Sequence, residues 1–172
     1  MSTLLQASRV PVFVLLADSD YKNCQNTTEA VSLWDDQFTK FFENFNFNFT
    51  IQSQREMPYN FAFVTNDILF VGVTLSQTSP ETLNGQAAWT RALIDDYTTN
   101  VLAAGSVGRL VMFGHAEPTA EHNVFFANLT AHTDMPYLYV HAGDSDLFTN
   151  GTPIADLAVS DKLSRVTVTM TG

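Results

Sequence analysis

Basic residues are scarce in this chain. Eight Lys and Arg stand against 18 Asp and Glu, which leaves a formal net charge of −10 and a sequence pI near 4.5. Phosphate binding needs an excess of Lys and Arg, so this balance argues against a nucleic-acid partner and against an anionic membrane surface. Cysteine is rarer still. The single Cys24 excludes an internal disulfide framework; it leaves a buried thiol, a pairing between chains, or a partner in a longer precursor. No apolar run is long enough to span a bilayer. Charged residues make up only 15% of the chain, whereas 45% is hydrophobic and 12% aromatic. That composition excludes disorder. It lets residues 1–172 form a single domain with a full core.

What is present is an alternation of helix-like and strand-like segments. Val12 to Leu16 is a continuous apolar run bounded by Pro11 and Asp18, the pattern of a strand covered on both faces. The wider stretch Val10 to Ala17 is short and contains Pro11, so it reads as this strand rather than as a signal-peptide core. A first helix is expected from Asn26-Thr27-Thr28-Glu29, a small polar cap before an acidic turn. Val31, Trp34, Phe38, Phe41, Phe42 and Phe45 then recur at helical steps as a core stripe. Asn44 to Thr50 alternates Asn with Phe and reads as extended. Phe61 to Thr65 and Ile68 to Thr74, joined by Asn66-Asp67, read as a hairpin.

A polar loop is expected from Leu75 to Gly85. The spacing then predicts a helix with Ala88, Trp89, Ala92, Leu93, Tyr97 and Val101 on one face, ending near Gly105. Arg109 to Gly114 is a further strand, Pro118 to Thr133 a third helix, and Pro136 to His141 another strand. Val166, Val168 and Met170 alternate with threonines as a half-exposed strand. The order points to an α/β fold with a largely parallel or mixed sheet.

Sites in open α/β sheets gather beyond the carboxyl ends of the strands. Three strands here end in polar clusters: Asp18-Ser19-Asp20, Gly114-His115, and His141-Ala142-Gly143-Asp144-Ser145-Asp146. If the strands are neighbours, carboxylates and imidazoles converge at one edge, where such donors suit a divalent cation. No other constellation competes. Ser145 lacks a nucleophile-elbow pattern, Cys24 has no adjacent base, and no glycine-rich phosphate loop is present. His122 and His132 read as solvated or capping groups on the third helix. Tyr21, Tyr59 and Tyr137 read as packing residues rather than as platforms for sugars.

These motifs resemble those of the calcineurin-like metallophosphoesterases, particularly secreted or periplasmic members. The run Ala17-Asp18-Ser19-Asp20 followed by Tyr21 and Cys24 is similar to the family's second metal motif. Gly114-His115 matches its middle motif, and His141 to Phe148 looks like its last one. The resemblance implies a mixed-sheet αββα-type sandwich lacking the opening strands. It also implies Asp18, Asp20, His115, His141, Asp144 and Asp146 as metal-site positions.

The departures are specific. The opening motifs lie before the point where this chain begins. The usual Gly is Ala17, the metal-binding Asn is Ser19, and the final His is Asp146. A two-metal phosphoesterase clamps both reacting oxygens between paired cations, and two imidazoles with a few carboxylates do not complete that pair. No cofactor is expected, and a single divalent metal is the most this donor set supports. The expectation is a non-catalytic, metallophosphoesterase-like structural or assembly subunit. The alternative is the C-terminal part of an active phosphoesterase, with His115 in its site.

Four Asn-x-Ser/Thr sequons begin at Asn26, Asn48, Asn128 and Asn150, which suggests a secreted glycoprotein. A scaffold without its opening strands leaves apolar sheet surface bare. That surface is expected to be covered by self-association or by another polypeptide.

Overall fold

A computed structural model describes residues 2–17, 20–75, 79–115, 120–142, 150–153 and 163–168. A short helix α1 (Ser2–Gln6) is followed by an extended stretch and then by α2 (Thr27–Phe38). Strands β1 (Ile51–Ser53), β2 (Phe61–Thr65) and β3 (Ile68–Gly72) come next. Helix α3 (Pro80–Asp96) leads to β4 (Leu110–Gly114), and α4 (Asn123–His132) leads to β5 (Tyr137–Ala142). Strands β6 (Asn150–Pro153) and β7 (Leu163–Val168) follow. All seven strands form one mixed sheet in the order β1-β2-β3-β4-β5-β7-β6. Strands β3, β4, β5 and β7 run parallel, and antiparallel pairs flank them on both sides. The α/β class and mixed sheet expected from the sequence are therefore present.

Local chemistry accounts for the boundaries. Asn66 and Asp67 take φ of 50° and 58°, the left-handed pair that a two-residue hairpin requires, and β2 and β3 pair directly across them. Asn26 caps α2, its side chain accepting from the Glu29 N–H. Lys40, left-handed at φ 53°, ends that helix, so Phe41 and Phe42 lie in a separate 3₁₀ turn (Phe41–Asn44). Helix α3 starts earlier than expected. Ser79 accepts from the Thr82 N–H and Pro80 occupies the first turn, so the helix takes in what the sequence suggested was loop. It continues into a π-helical turn (Tyr97–Val101). Its buried face is Leu83, Gln86, Ala87, Thr90, Leu93, Ile94 and Tyr97, while Ala88 and Ala92 are exposed. Two polar residues inside the stripe disguise its true phase.

The two faces of the sheet are unequally covered. On one face, Ala62, Leu69, Val71, Leu110, Met112, Tyr137 and Tyr139 are buried against Leu83, Ala87 and Leu93 of α3 and Phe125, Phe126 and Leu129 of α4. Register puts Phe61, Phe63, Phe70, Val111, Phe113, Leu138 and Val140 on the other. Phe61 is buried there, and its ring lies so close over Gly72 that any Cβ on that residue would collide with it. Phe63, Phe70, Val111, Phe113, Leu138 and Val140 are only half-buried.

The N-terminal third forms a partial layer on this second face. Val12 to Leu16 is not a strand, contrary to expectation. It runs as irregular extended chain, with Phe13 packed on Phe42, Phe47, Phe61 and Phe63. Its apolar residues are satisfied by rings rather than by ladder partners. Leu16, Trp34, Met57 and Tyr59 form a second buried cluster with Val14, Tyr21 and Phe38 packed against it. Tyr21, Tyr59 and Tyr137 are thus packing residues, as expected. Cys24 is exposed, which removes the buried-thiol reading. The expected third helix begins as a 3₁₀ turn (Ala120–His122) before α4, while Pro118 and Met170 lie outside the described residues.

Candidate functional site

The carboxyl ends of β3, β4 and β5 lie side by side, because these strands are adjacent and parallel. Beyond β3 the chain continues through Thr74, whose hydroxyl donates to the Leu16 carbonyl. Leu16 is thereby held against the same edge. Gly114 of β4 pairs with His141 of β5, and His115 follows one residue past that rung. His115 and His141 therefore lie at the ends of neighbouring strands, with Ala17 held near the end of β3, while Asp18, Ser19 and residues 143–149 lie outside the described residues.

The individual side chains are less suited to metal. Asp20 is exposed, and its carboxylate accepts from the Ala17 N–H at 2.8 Å, closing a turn that also carries an Asp20 N–H to Ala17 carbonyl bond. That is the ordinary work of an aspartate after a strand. His141 is an interior imidazole, 2% exposed and stacked on Tyr139 with ring centroids 5.5 Å apart. Burial raises the Tyr139 phenol far above its ordinary range. The Tyr139 ring crosses Gly114, so a side chain at 114 has no room. His115 is half-buried. Asp18, Asp144 and Asp146 lie outside the described residues. Among the described residues no group of three His, Cys, Asp or Glu stands close enough to hold a metal ion.

A polar network beneath this edge is invisible in the sequence. Asn60, fully buried, donates to Gln54 Oε1 at 2.8 Å and to Gln86 Oε1 at 3.1 Å, and accepts from the Thr74 N–H at 2.9 Å. It ties the β1–β2 connection to α3 and to the end of β3. His122 corrects a second expectation. It is 5% exposed rather than solvated, and its Nε2 lies 3.0 Å from the carbonyl of Leu75. Leu75 is itself buried with φ of 47°, a conformation that costs a branched L-residue energy and persists only where neighbours fix it. Asn and Gln carry no periodic signal, and a helix-start histidine looks the same whether buried or not. No reading of spacing exposes either group. His132 behaves as expected, part-exposed and 2.8 Å from the Asp95 carboxylate across α4 and α3.

Of the sequon asparagines, Asn26 and Asn48 are exposed, Asn128 is half-buried in α4, and the Asn150 side chain lies outside the described residues. On the half-covered face, Phe13, Leu15, Phe61, Phe63, Phe70 and Phe113 line an apolar cavity of about 390 Å³. No helix among the described residues is long and apolar enough to cross a membrane. Comparison with known proteins finds no matching family, no similar curated protein and no similar solved structure.

Proposed function

We propose that the chain is a non-catalytic, metallophosphoesterase-like scaffold, secreted and glycosylated, that acts as an assembly subunit by associating with itself through the half-covered face of its sheet. One observation carries this reading. From β3 through β4 to β5 the sheet advances in one direction, and crossover connections have one hand. Both helices α3 and α4 therefore pack on the same face. Parallel strands are normally covered on both sides. Here Phe70, Val111, Phe113, Leu138 and Val140 present apolar side chains, half-exposed, on the side away from α3 and α4. A second sheet of the αββα arrangement is the natural cover for such a face, and another copy supplies one. The committed Asp20 carboxylate and the substitutions at Ala17, Ser19 and Asp146 support a scaffold rather than an enzyme.

Light scattering across a concentration series tests the association. The expected result is a dimer or larger species, reduced to monomer in a Phe113→Lys, Val140→Lys double variant of unchanged circular dichroism. A wild-type chain that stays monomeric throughout rules out self-association. The neighbouring Gly114-His115 and His141 favour one second reading, the C-terminal part of an active metal-dependent phosphoesterase. Stoichiometric bound metal, with p-nitrophenyl phosphate turnover abolished by His115→Ala, establishes that reading in place of the first.

A further inference from the structure

We infer that, of the three sequons whose asparagine side chains the structure describes, Asn48 and Asn26 are glycan acceptors and the Asn128 sequon stays bare; the inference deepens the secretory reading above and rests on it for its setting. The chemistry asked of each site is the same. The amide Nδ2 attacks the anomeric carbon of an oligosaccharide carried on a lipid diphosphate. The new C–N bond forms, the C–O bond to the diphosphate breaks, the diphosphate leaves with the bonding electrons, and Nδ2 gives up one proton. A site must offer Nδ2 to the outside, and the product must still fold with a large polar substituent attached.

Asn48 meets both conditions through the alternation around it. Phe45, Phe47 and Phe49 are half-buried, while Asn46, Asn48 and Thr50 are exposed. Phe47 packs on Phe13 at 5.5 Å, and Phe49 stacks on Phe63 at 4.7 Å. The two rings flanking Asn48 pin the backbone to the protein and turn Asn48 and Thr50 together towards solvent. Asn26 is exposed, as are Thr27 and Thr28. Its Oδ1 accepts from the Glu29 N–H, and its Nδ2 donates to the exposed Glu29 carboxylate at 3.3 Å; a glycosylated amide keeps Oδ1 and one N–H, enough for both bonds at the surface.

The Asn128 sequon is committed at all three positions. Asn128 Nδ2 donates to the Val124 carbonyl at 2.7 Å and to Asn84 Oδ1 of α3 at 3.1 Å. Leu129 is fully buried in the core. The Thr130 hydroxyl lies 2.8 Å from the Tyr137 hydroxyl. A sugar on Nδ2 displaces at least one of these two bonds, to the Val124 carbonyl within α4 or to Asn84 of α3. Chains that acquire it lose a hydrogen bond of α4 beside buried Leu129 and the Thr130–Tyr137 contact, so the folded, secreted population is expected to lack it.

The test is site mapping on the full chain, delivered to the secretory pathway of a eukaryotic cell by a supplied signal sequence. Peptide N-glycosidase F in heavy-oxygen water converts each formerly occupied Asn to labelled Asp. Label is expected at positions 48 and 26 and not at 128. Asn48→Gln and Thr50→Ala should each remove one glycan-sized mass step, and Asn128→Gln none. Label at Asn128 in the folded protein, or an unchanged mass for Asn48→Gln and Thr50→Ala, overturns the inference. Because the signal is supplied, retention of the native protein inside its own cell overturns only the secretory reading.

Discussion

The side chain of Asn60 is fully buried and satisfies three partners from separate parts of the chain. A buried hydrogen-bonding group left unpaired costs about 1–3 kcal/mol, and networks lose more than their isolated pairs suggest. Asn60→Ala strands the Thr74 N–H and two glutamine carbonyls together. Chemical denaturation should show a loss of about 3 kcal/mol or more, whereas an exposed control such as Asn46→Ala should stay within about 0.5 kcal/mol. A loss for Asn60→Ala equal to that of the control excludes the network as a determinant of stability. His122 and Leu75 make the same point about single residues. A left-handed leucine is held where an imidazole meets its carbonyl, and neither residue type announces that arrangement.

At the scale of elements, caps and turns were the most legible features. Asn26 before α2 and Asn66-Asp67 in the hairpin behave as their side-chain chemistry requires. Ser79-Pro80 is an equally good start signal, hidden in a polar stretch that reads as loop. Ser79→Ala should therefore cost about 1 kcal/mol, the usual worth of such a cap, measurable as a lowered urea midpoint with unchanged slope. A midpoint equal to wild type excludes the cap. The phase of α3 was misread because Gln86 and Thr90 face inwards; hydrophobic periodicity cannot register a polar residue that is buried for its hydrogen bonds. Val12 to Leu16 was misread because an apolar run reports burial and not pairing. Leu16 is buried and Val12 to Leu15 half-buried by packing on other side chains, with no ladder. The candidate site was legible as a place, the carboxyl edge of β4 and β5. Its chemistry was not, because turn aspartates and metal aspartates share one sequence pattern.

For the whole molecule, three tyrosines set the alkaline limit. Burial raises the phenols of Tyr139 and Tyr137 above their ordinary value; for Tyr137 the hydrogen bond with Thr130 partly offsets the rise. Tyr59 is raised first by burial and then by the negative charges of Asp35 and Tyr21. An acid with a raised folded pKa keeps its proton when the unfolded chain has already lost it. The stability these groups contribute is complete below about pH 10 and declines as pH climbs beyond that. Urea unfolding at stepped alkaline pH should show this decline, shallower in Tyr139→Phe by up to about 1.4 kcal/mol per pH unit. Identical slopes in the two proteins contradict the assignment.

The two apolar clusters divide the molecule along a seam. One holds α3, α4 and the strands; the other holds Leu16, Trp34, Met57 and Tyr59. The Thr74–Leu16 and Asn60–Gln86 hydrogen bonds cross between them. Parting them breaks these bonds and the packing of Phe13 and Phe42 on Phe61 but leaves the larger cluster whole, so opening of the N-terminal layer is expected at less free energy than global unfolding. Each opening strips the rings of Phe13 and Phe42 from Phe61 and lengthens the adhesive strip that Phe70 and Phe113 already present. Under the proposed self-association, fraying and sticking become one event: the motion that loosens one copy widens the surface it offers to the next.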